Sequence, residues 1–265
     1  MSAPPAPDVQ NERRLFLLTE LIKEKNLQHT IQIPTSAQEQ KYLLRSLFNI
    51  RMPKPVSKQF LETQDAYLKE AIARNGITDF SSLKEVLPGI YLWKGDISTL
   101  RCDAIVNAAN SQMLGCFAPC HTCIDNCIHT YSGIQLREAC AAIMNKQKHE
   151  EPTGQAKITP AFNLPCKYVL HTVGPIIEDL PTAEDKRLLA SCYQSCLDLC
   201  LQNNITSVAF CCISTGEFHY PKEEAADIAI ETVKNFLSRS GSQLKVIFNV
   251  FSDDNFEIYS ERLKK

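Results

Sequence analysis

No sign of charge dominates this chain: 28 lysines and arginines stand against 30 aspartates and glutamates, a net charge of −2 over 265 residues. A surface built chiefly to neutralise phosphates is therefore disfavoured, and nucleic acid is not an expected partner. The sequence also lacks any run of the roughly 18–20 apolar residues that a bilayer-crossing helix needs. Its most apolar stretches, SVAFCCIS and VIFNVF, are strand-sized. The first residues, MSAPPAPDVQNERRLF, are Pro-rich and then charged, without the apolar segment of a secretory signal. Residues 1–10 are expected to form a disordered tail. There is no internal repeat and no other low-complexity segment. These absences lead us to expect a soluble, intracellular, cytoplasmic protein with no membrane partner.

What is present is an ordinary globular composition, 44% hydrophobic and 22% charged, in a chain long enough to bury a large core. Up to about residue 88 the apolar residues recur at spacings of three and four, and helices are expected over 11–26, 37–51 and 57–76, the last stopped by Gly76. After residue 88 the texture changes. Short β-branched and aromatic runs at 90–93, 103–109, 157–162, 167–173, 207–213 and 245–251 read as strands. They alternate with helical patterns over 123–147, 185–204 and 221–240. That alternation is the mark of an α/β fold: a mostly parallel sheet with helices on both faces, preceded by a helical extension.

Twelve cysteines in such a chain are better read as thiols or metal ligands than as a disulfide framework. Cys192, Cys196 and Cys200 recur every fourth residue and form one helical stripe suited to a core. Cys211 and Cys212 lie in an apolar strand. The exception is GCFAPCHTCIDNCIH, residues 115–129, with four cysteines and two histidines. Three readings stand side by side for it: a zinc loop, small side chains packed at a helix start, and a redox-active thiol cluster. A catalytic zinc commonly takes three protein ligands and leaves a fourth position free, a count that the thiols and imidazoles of this loop can supply. Cys127 reads as core, His129 as a hydrogen-bonded packing residue of the helix, and His171 as a satisfied interior histidine.

In α/β sheets ligands gather where strands end and helices begin, because loops there present backbone donors and helix N-termini. Two junctions have that character: Asn107–Asp125, and the stretch CCISTGEFHYPKEEAA, where Gly216 would let backbone amides approach an anion closely. The segments GDISTLRCDAIVNAANSQMLG, YVLHTVGPI and CCISTGEFHYPKEEAADIAIETV occur in one order over about residues 90–260. Together they resemble the macrodomain family, whose members bind ADP-ribose. In place of the usual glycine-rich segment this chain has the cysteine-rich loop, which resembles the zinc-containing subfamily of protein-ADP-ribose hydrolases, and that subfamily also carries a helical extension.

The resemblance implies a three-layer α/β/α macrodomain with a mixed sheet over 89–265 behind a helical extension over 1–88. It implies one Zn2+ ion on Cys116, His121 and Cys123, with Cys120 a spare thiol. Asp96 and the Ile97 backbone would hold adenine, and Phe251 would pack against it. Asn107 and Asn110 would contact ribose, Asn110 at the distal ribose. Ser214, Thr215, Gly216, Glu217 and Phe218 would wrap the diphosphate, chiefly through backbone amides, with Phe218 against the distal ribose and the Glu217 side chain turned outward. Asp125 would position or deprotonate the attacking water, although at a helix start it also suits capping. The implied activity is zinc-dependent removal of mono-ADP-ribose from protein side chains. A non-catalytic reader of ADP-ribosylated proteins and an O-acetyl-ADP-ribose deacetylase share the same pocket. A sirtuin-like ADP-ribosyltransferase system is an implied partner.

Overall fold

The computed structural model describes residues 7–264. Three helices come first: α1 (Pro7–Glu24), α2 (Ala37–Asn49) and α3 (Lys58–Arg74). Proline suits the first position of α1, where its missing N–H costs no bond. Ser36 and Ser57 cap α2 and α3, their side chains accepting from the amides of Glu39 and Phe60. Gly76, at φ +86°, follows the end of α3. The apolar stripes converge on a core of their own that includes Leu17, Leu21, Leu44, Leu47, Phe60 and Leu68, joined by Ile134 from further along the chain. Helix α1 therefore begins inside the stretch expected as a tail. Gln10, which we assigned to that tail, is buried and donates to the Tyr67 carbonyl at 2.8 Å. Residues 1–6 of the expected tail lie outside the described residues.

A seven-stranded sheet forms the body, in the order β2 (Glu85–Leu87), β3 (Ile90–Lys94), β9 (Lys245–Val250), β8 (Ser207–Phe210), β5 (Ala104–Ala109), β7 (Tyr168–Val173) and β6 (Ala156–Pro160). The five inner strands run parallel, while β2 and β6 pair antiparallel at the edges, so the sheet is mixed. A separate parallel pair joins β1 (Thr78–Asp79) to β4 (Leu100–Arg101). The inner strands β5, β7, β8 and β9 are buried almost throughout, which is why they read as continuous apolar runs rather than alternations, whereas β3 is only partly buried. The Cys192, Cys196 and Cys200 stripe is fully buried in the main core.

Five helices accompany the sheet: α4 (Ile124–Ser132), α5 (Ile134–Gln147), α6 (Ala183–Gln202), α7 (Lys222–Ser240) and α8 (Asp253–Leu263). The single helix expected over 123–147 is two, broken at Gly133 with φ +95°. A side chain could not stand there: a Cβ would lie 2.7 Å from both the Gln64 amide nitrogen and Gln135 Oε1. Gln64 of α3 instead accepts from the Ile134 amide at 3.0 Å, capping α5 from the extension. Helix α8 was not anticipated. It is capped by Ser252 and buries Tyr259 and Leu263.

Candidate active site

The first wall of the site begins where β5 ends. Asn110 turns the chain there, its Oδ1 accepting from the Gln112 amide at 3.1 Å and its Nδ2 donating to the Gly115 carbonyl at 3.3 Å. The loop that follows brings Cys116, His121 and Cys123 together, with one ligand atom of each within 4.8 Å of the others. Cys116 Sγ lies 3.7 Å from His121 Nδ1. All three are half-buried. Cys123, not Asp125, is the N-cap of α4, its sulfur accepting from the Asn126 amide at 3.4 Å.

Asp125 sits in the first turn of α4 and is buried, 5% exposed. Its Oδ1 accepts from Asn107 Nδ2 at 2.8 Å. Burial pushes the Asp125 carboxyl up to about 6, against the Asn107 hydrogen bond and the Arg137 charge, which both pull it down. Asn107 is thus an interior residue: fully buried, it gives one hydrogen to Asp125 and the other to His171 Nδ1 at 3.2 Å. Its side chain holds Asp125 instead of reaching toward a ribose. With Nδ1 accepting, His171 carries its proton on Nε2, 2.9 Å from Thr159 Oγ1, and burial lowers its pKa to about 3.

His129 and Cys127 differ from expectation. Both ring nitrogens of the buried His129 lack a hydrogen-bond partner, and the closest carboxylate, Asp125 Oδ1, is 3.5 Å away. The ring fills the space that Gly115 leaves open, where a Cβ would stand 2.7 Å from it. Cys127 is half-buried and accepts from Arg45 Nη2 at 3.5 Å. A second cluster, His129, Cys140 and His171, lies wholly in the interior. Both nitrogens of its His171 already have protein partners.

The second wall begins where β8 ends. Ser214 takes φ +63°, and the chain wraps back so that the amides of Tyr220 and His219 donate to the carbonyls of Ser214 and Gly216. Among the described residues no protein oxygen accepts from the amides of Gly216, Glu217 or Phe218, and the buried Ser214 hydroxyl is also unpartnered. Consecutive free donors of this kind form an anion-binding concavity. Thr215 is tied down by its hydroxyl to the Cys212 carbonyl at 2.9 Å, and the Phe218 carbonyl accepts from the Ile177 amide at 2.9 Å. Glu217 is exposed, yet its Oε1 lies 3.6 Å from His121 Nε2. The two walls therefore meet across the site.

At the third side, Asp96 caps a 3-10 turn over Ile97–Thr99. Its Oδ1 accepts from the Ser98 amide and hydroxyl at 2.9 and 2.7 Å. Oδ2 and the Ile97 amide have no partner among the described residues, so an acceptor and a donor stand side by side. Asn249 Nδ2 donates to the Gly95 carbonyl at 2.9 Å, and the Gly95 amide to the Val250 carbonyl at 3.0 Å. These bonds bring the turn against the end of β9, where Phe251 presents a ring that is 78% exposed.

Sequence reading missed the residues that hold the first wall. Arg45 of α2 donates to the His121 carbonyl at 2.7 Å and to Asn126 Oδ1 at 2.9 Å. Asn49 accepts from the Cys120 amide at 2.8 Å and donates to Thr130 Oγ1 at 3.0 Å. Buried Arg137 donates to the carbonyls of Leu114, Phe48, Asn49 and Arg51, and its guanidinium lies 4.3 Å from the Phe117 ring centre. The cysteine loop is thus braced by the extension. No spacing signal announces partners that lie 70 to 90 residues apart.

The chain is similar to known proteins over most of its length. The Macro domain family matches residues 106–229. A protein-ADP-ribose hydrolase of Treponema medium is 56% identical over 95% of this chain and 98% of its own length. A protein-ADP-ribose hydrolase of Staphylococcus aureus is 46% identical over 96% of this chain and 97% of its own. Among solved structures, the Trypanosoma brucei macrodomain in complex with ADP-ribose matches with a TM-score of 0.65 at 28% identity, covering 87% of this chain and 97% of that one. These likenesses span the sheet, both walls of the site and, in the first two relatives, the helical extension as well, and on them the chain belongs to the Macro domain family.

Proposed function

We propose that this protein hydrolyses the bond between ADP-ribose and a modified protein side chain, with one zinc ion held by Cys116, His121 and Cys123. The observation that carries the reading is the meeting of three elements in one cleft. These are a loop of unpartnered amides at 216–218, a buried carboxylate at Asp125, and a set of two sulfurs and one imidazole within 4.8 Å. The curated relatives from Treponema medium and Staphylococcus aureus, named as protein-ADP-ribose hydrolases, support the same substrate class. The donor set fits zinc: soft and borderline ligands, three in number, half-buried so that one position faces the cleft. Burial, with the nearby Cys116, pushes the Cys123 thiol up.

The chain's own residues supply most of the work. Asp96 accepts from the adenine amino group, and the Ile97 amide donates to a ring nitrogen. The amides of Gly216, Glu217 and Phe218 hold the diphosphate, whose charge they meet with fixed dipoles and no lysine. Asn110, at the end of β5, hydrogen-bonds ribose hydroxyls. His121 turns Nδ1 to Cys116 Sγ, 3.7 Å away, and its Nε2 stands 3.6 Å from Glu217 Oε1, whose negative charge favours that orientation of the ring. A zinc ion held by Cys116, His121 and Cys123 would supply positive charge to the site. Asp125, fixed by Asn107, takes a proton from the water that attacks the anomeric carbon. The bond from that carbon to the side-chain oxygen breaks, and a carboxylate leaves with the electron pair. Twelve free cysteines suit a reducing intracellular setting, such as the cytoplasm. The substrate would come from an enzyme that attaches ADP-ribose, of the sirtuin-like class.

The test is release of ADP-ribose from a mono-ADP-ribosylated protein, followed by mass spectrometry with and without a strong chelator. Release that stops on chelation and returns with zinc supports the reading. Tight ADP-ribose binding without release would make the protein a reader. Release that is indifferent to chelation would remove zinc from the reaction.

A further inference from the structure

A hollow of about 780 Å³ lies between the three extension helices and the start of the macrodomain, outside the cleft described above. Its size is that of a ligand pocket. Its walls carry four cationic side chains, Arg14, Lys41, Arg45 and Arg74, and no carboxylate lines it. Neutral groups occupy two of the cations: Arg14 donates to Gln40 Oε1 and Asn11 Oδ1, and Arg45 to the His121 carbonyl and Asn126 Oδ1. Lys41 is exposed and forms no ion pair among the described residues. Only Arg74 has a carboxylate neighbour, Glu70 at 2.8 Å. The positive charge of the hollow is therefore largely uncompensated, in a protein whose net charge is negative. A concave, low-dielectric wall focuses such a field.

Its position gives the charge a use. Cys120, one residue before the candidate ligand His121, forms part of the wall, and so does Tyr131 of α4. Arg45 reaches from the hollow to the His121 carbonyl. The hollow thus opens beside the cysteine loop, next to which the proposed reaction sets the modified side chain. We propose that it docks an acidic stretch of the modified protein, next to the ADP-ribosylated residue. This rests on the reading of the cleft as a protein-ADP-ribose hydrolase. Carboxylates of the stretch meet Lys41 and Arg74 at the rim and the fields of Arg14 and Arg45 deeper in. The phenols of Tyr67 and Tyr131 supply further polar partners.

The test uses two synthetic peptides, each carrying one mono-ADP-ribosylated residue, one flanked by glutamates and the other by glutamines. KM and kcat are measured for both, together with Kd by fluorescence anisotropy, on the full chain and on a Lys41→Glu, Arg74→Gln variant. Neither residue belongs to the cleft. The native protein should favour the glutamate peptide by about ten-fold in KM and Kd, the sum of a few exposed ion pairs. The preference should fade in high salt. The variant should lose it while keeping its kcat, its affinity for free ADP-ribose and its melting temperature. Equal affinity for the two peptides, or a preference that survives in the variant, overturns the proposal. Competition by inorganic phosphate or by a short single-stranded RNA as strong as by the acidic peptide would also overturn it, in favour of a small-anion or nucleic-acid site. A Kd preference without any cleavage sinks the hydrolase reading on such acceptors and leaves the docking site standing.

Discussion

Replacing Arg137 by methionine should loosen the joint between the extension and the cysteine loop, at a cost that can be sized. The side chain is 5% exposed and donates to four carbonyls, three of them at the end of α2 and just beyond it. Burial lowers its pKa to about 10, so it stays charged at neutral pH. Methionine would leave those four carbonyls without their partner at roughly 1–2 kcal/mol each. Loss of the contact with the Phe117 ring adds about 1 kcal/mol. Against this, the fall in pKa from 12.5 to about 10 sizes the desolvation that the substitution relieves at roughly 3 kcal/mol. The net loss is about 2–6 kcal/mol, which in a chain of this size lowers the melting temperature by roughly 4–11 °C. Urea unfolding followed by circular dichroism measures it. Arg137→Lys keeps the charge but not the planar fork, and should recover less than half of the loss. A methionine variant within about 1 kcal/mol of the native protein would show that the four bonds do not hold the joint.

Gly115→Ala should destabilise by about 2–4 kcal/mol, since it forces an L side chain to φ +81° and sets a Cβ 2.7 Å from the His129 ring. Gly216→Ala, with nothing within 4 Å of the added methyl, should melt as the native protein does. Arg45→Ala removes two charge-assisted bonds to the loop, worth about 2 kcal/mol together in this half-exposed setting. It should weaken zinc binding roughly 30-fold in a chelator competition, and an unchanged Kd would remove α2 from metal binding. Glu217→Gln should raise the zinc dissociation constant about 10-fold by weakening the hold on the His121 ring, whereas an unaltered constant would mean the two walls act independently. The pKa of His171, lowered by burial to about 3, lies below its unfolded value near 6.5, so the neutral ring's contribution is whole above that pH and is lost on acidification toward 3. At pH 5 the loss from this residue is about 2 kcal/mol. A His171→Gln variant should show a stability-against-pH slope shallower by one proton between pH 6 and 4, and an identical slope would contradict a neutral buried ring.

The sheet was legible because four of its inner strands, β5, β7, β8 and β9, are buried on both sides and their apolar runs are bounded by turn residues. The free-amide loop was legible from Ser-Thr-Gly after a buried strand. The end of α3 was announced by Gly76. The break at Gly133 was hidden, because one glycine inside a helical pattern reads as tolerated; only the approach of Gln64 from another helix explains it. Asn107 could not be told from a ligand-facing amide, since alternation along a buried strand does not say which face holds a carboxylate. The bracing of the loop was invisible for a plainer reason. Arg45 and Asn49 look like ordinary helix residues until α2 is laid against α4.

Arg45 and Asn49 reach the cysteine loop from one face of α2, and Arg137 takes the carbonyls at that helix's end. One residue inserted into α2 between Arg45 and Asn49 would swing one of them by about 100° relative to the other. A connection between helices tolerates a change of length better than a helix that must hold two side chains in phase, so the turn count of α2 is the tighter constraint. The segment outside the sheet should therefore drift in its connections and stay fixed in its helical phase, inherited in step with a loop that lies some 70 residues further along the chain.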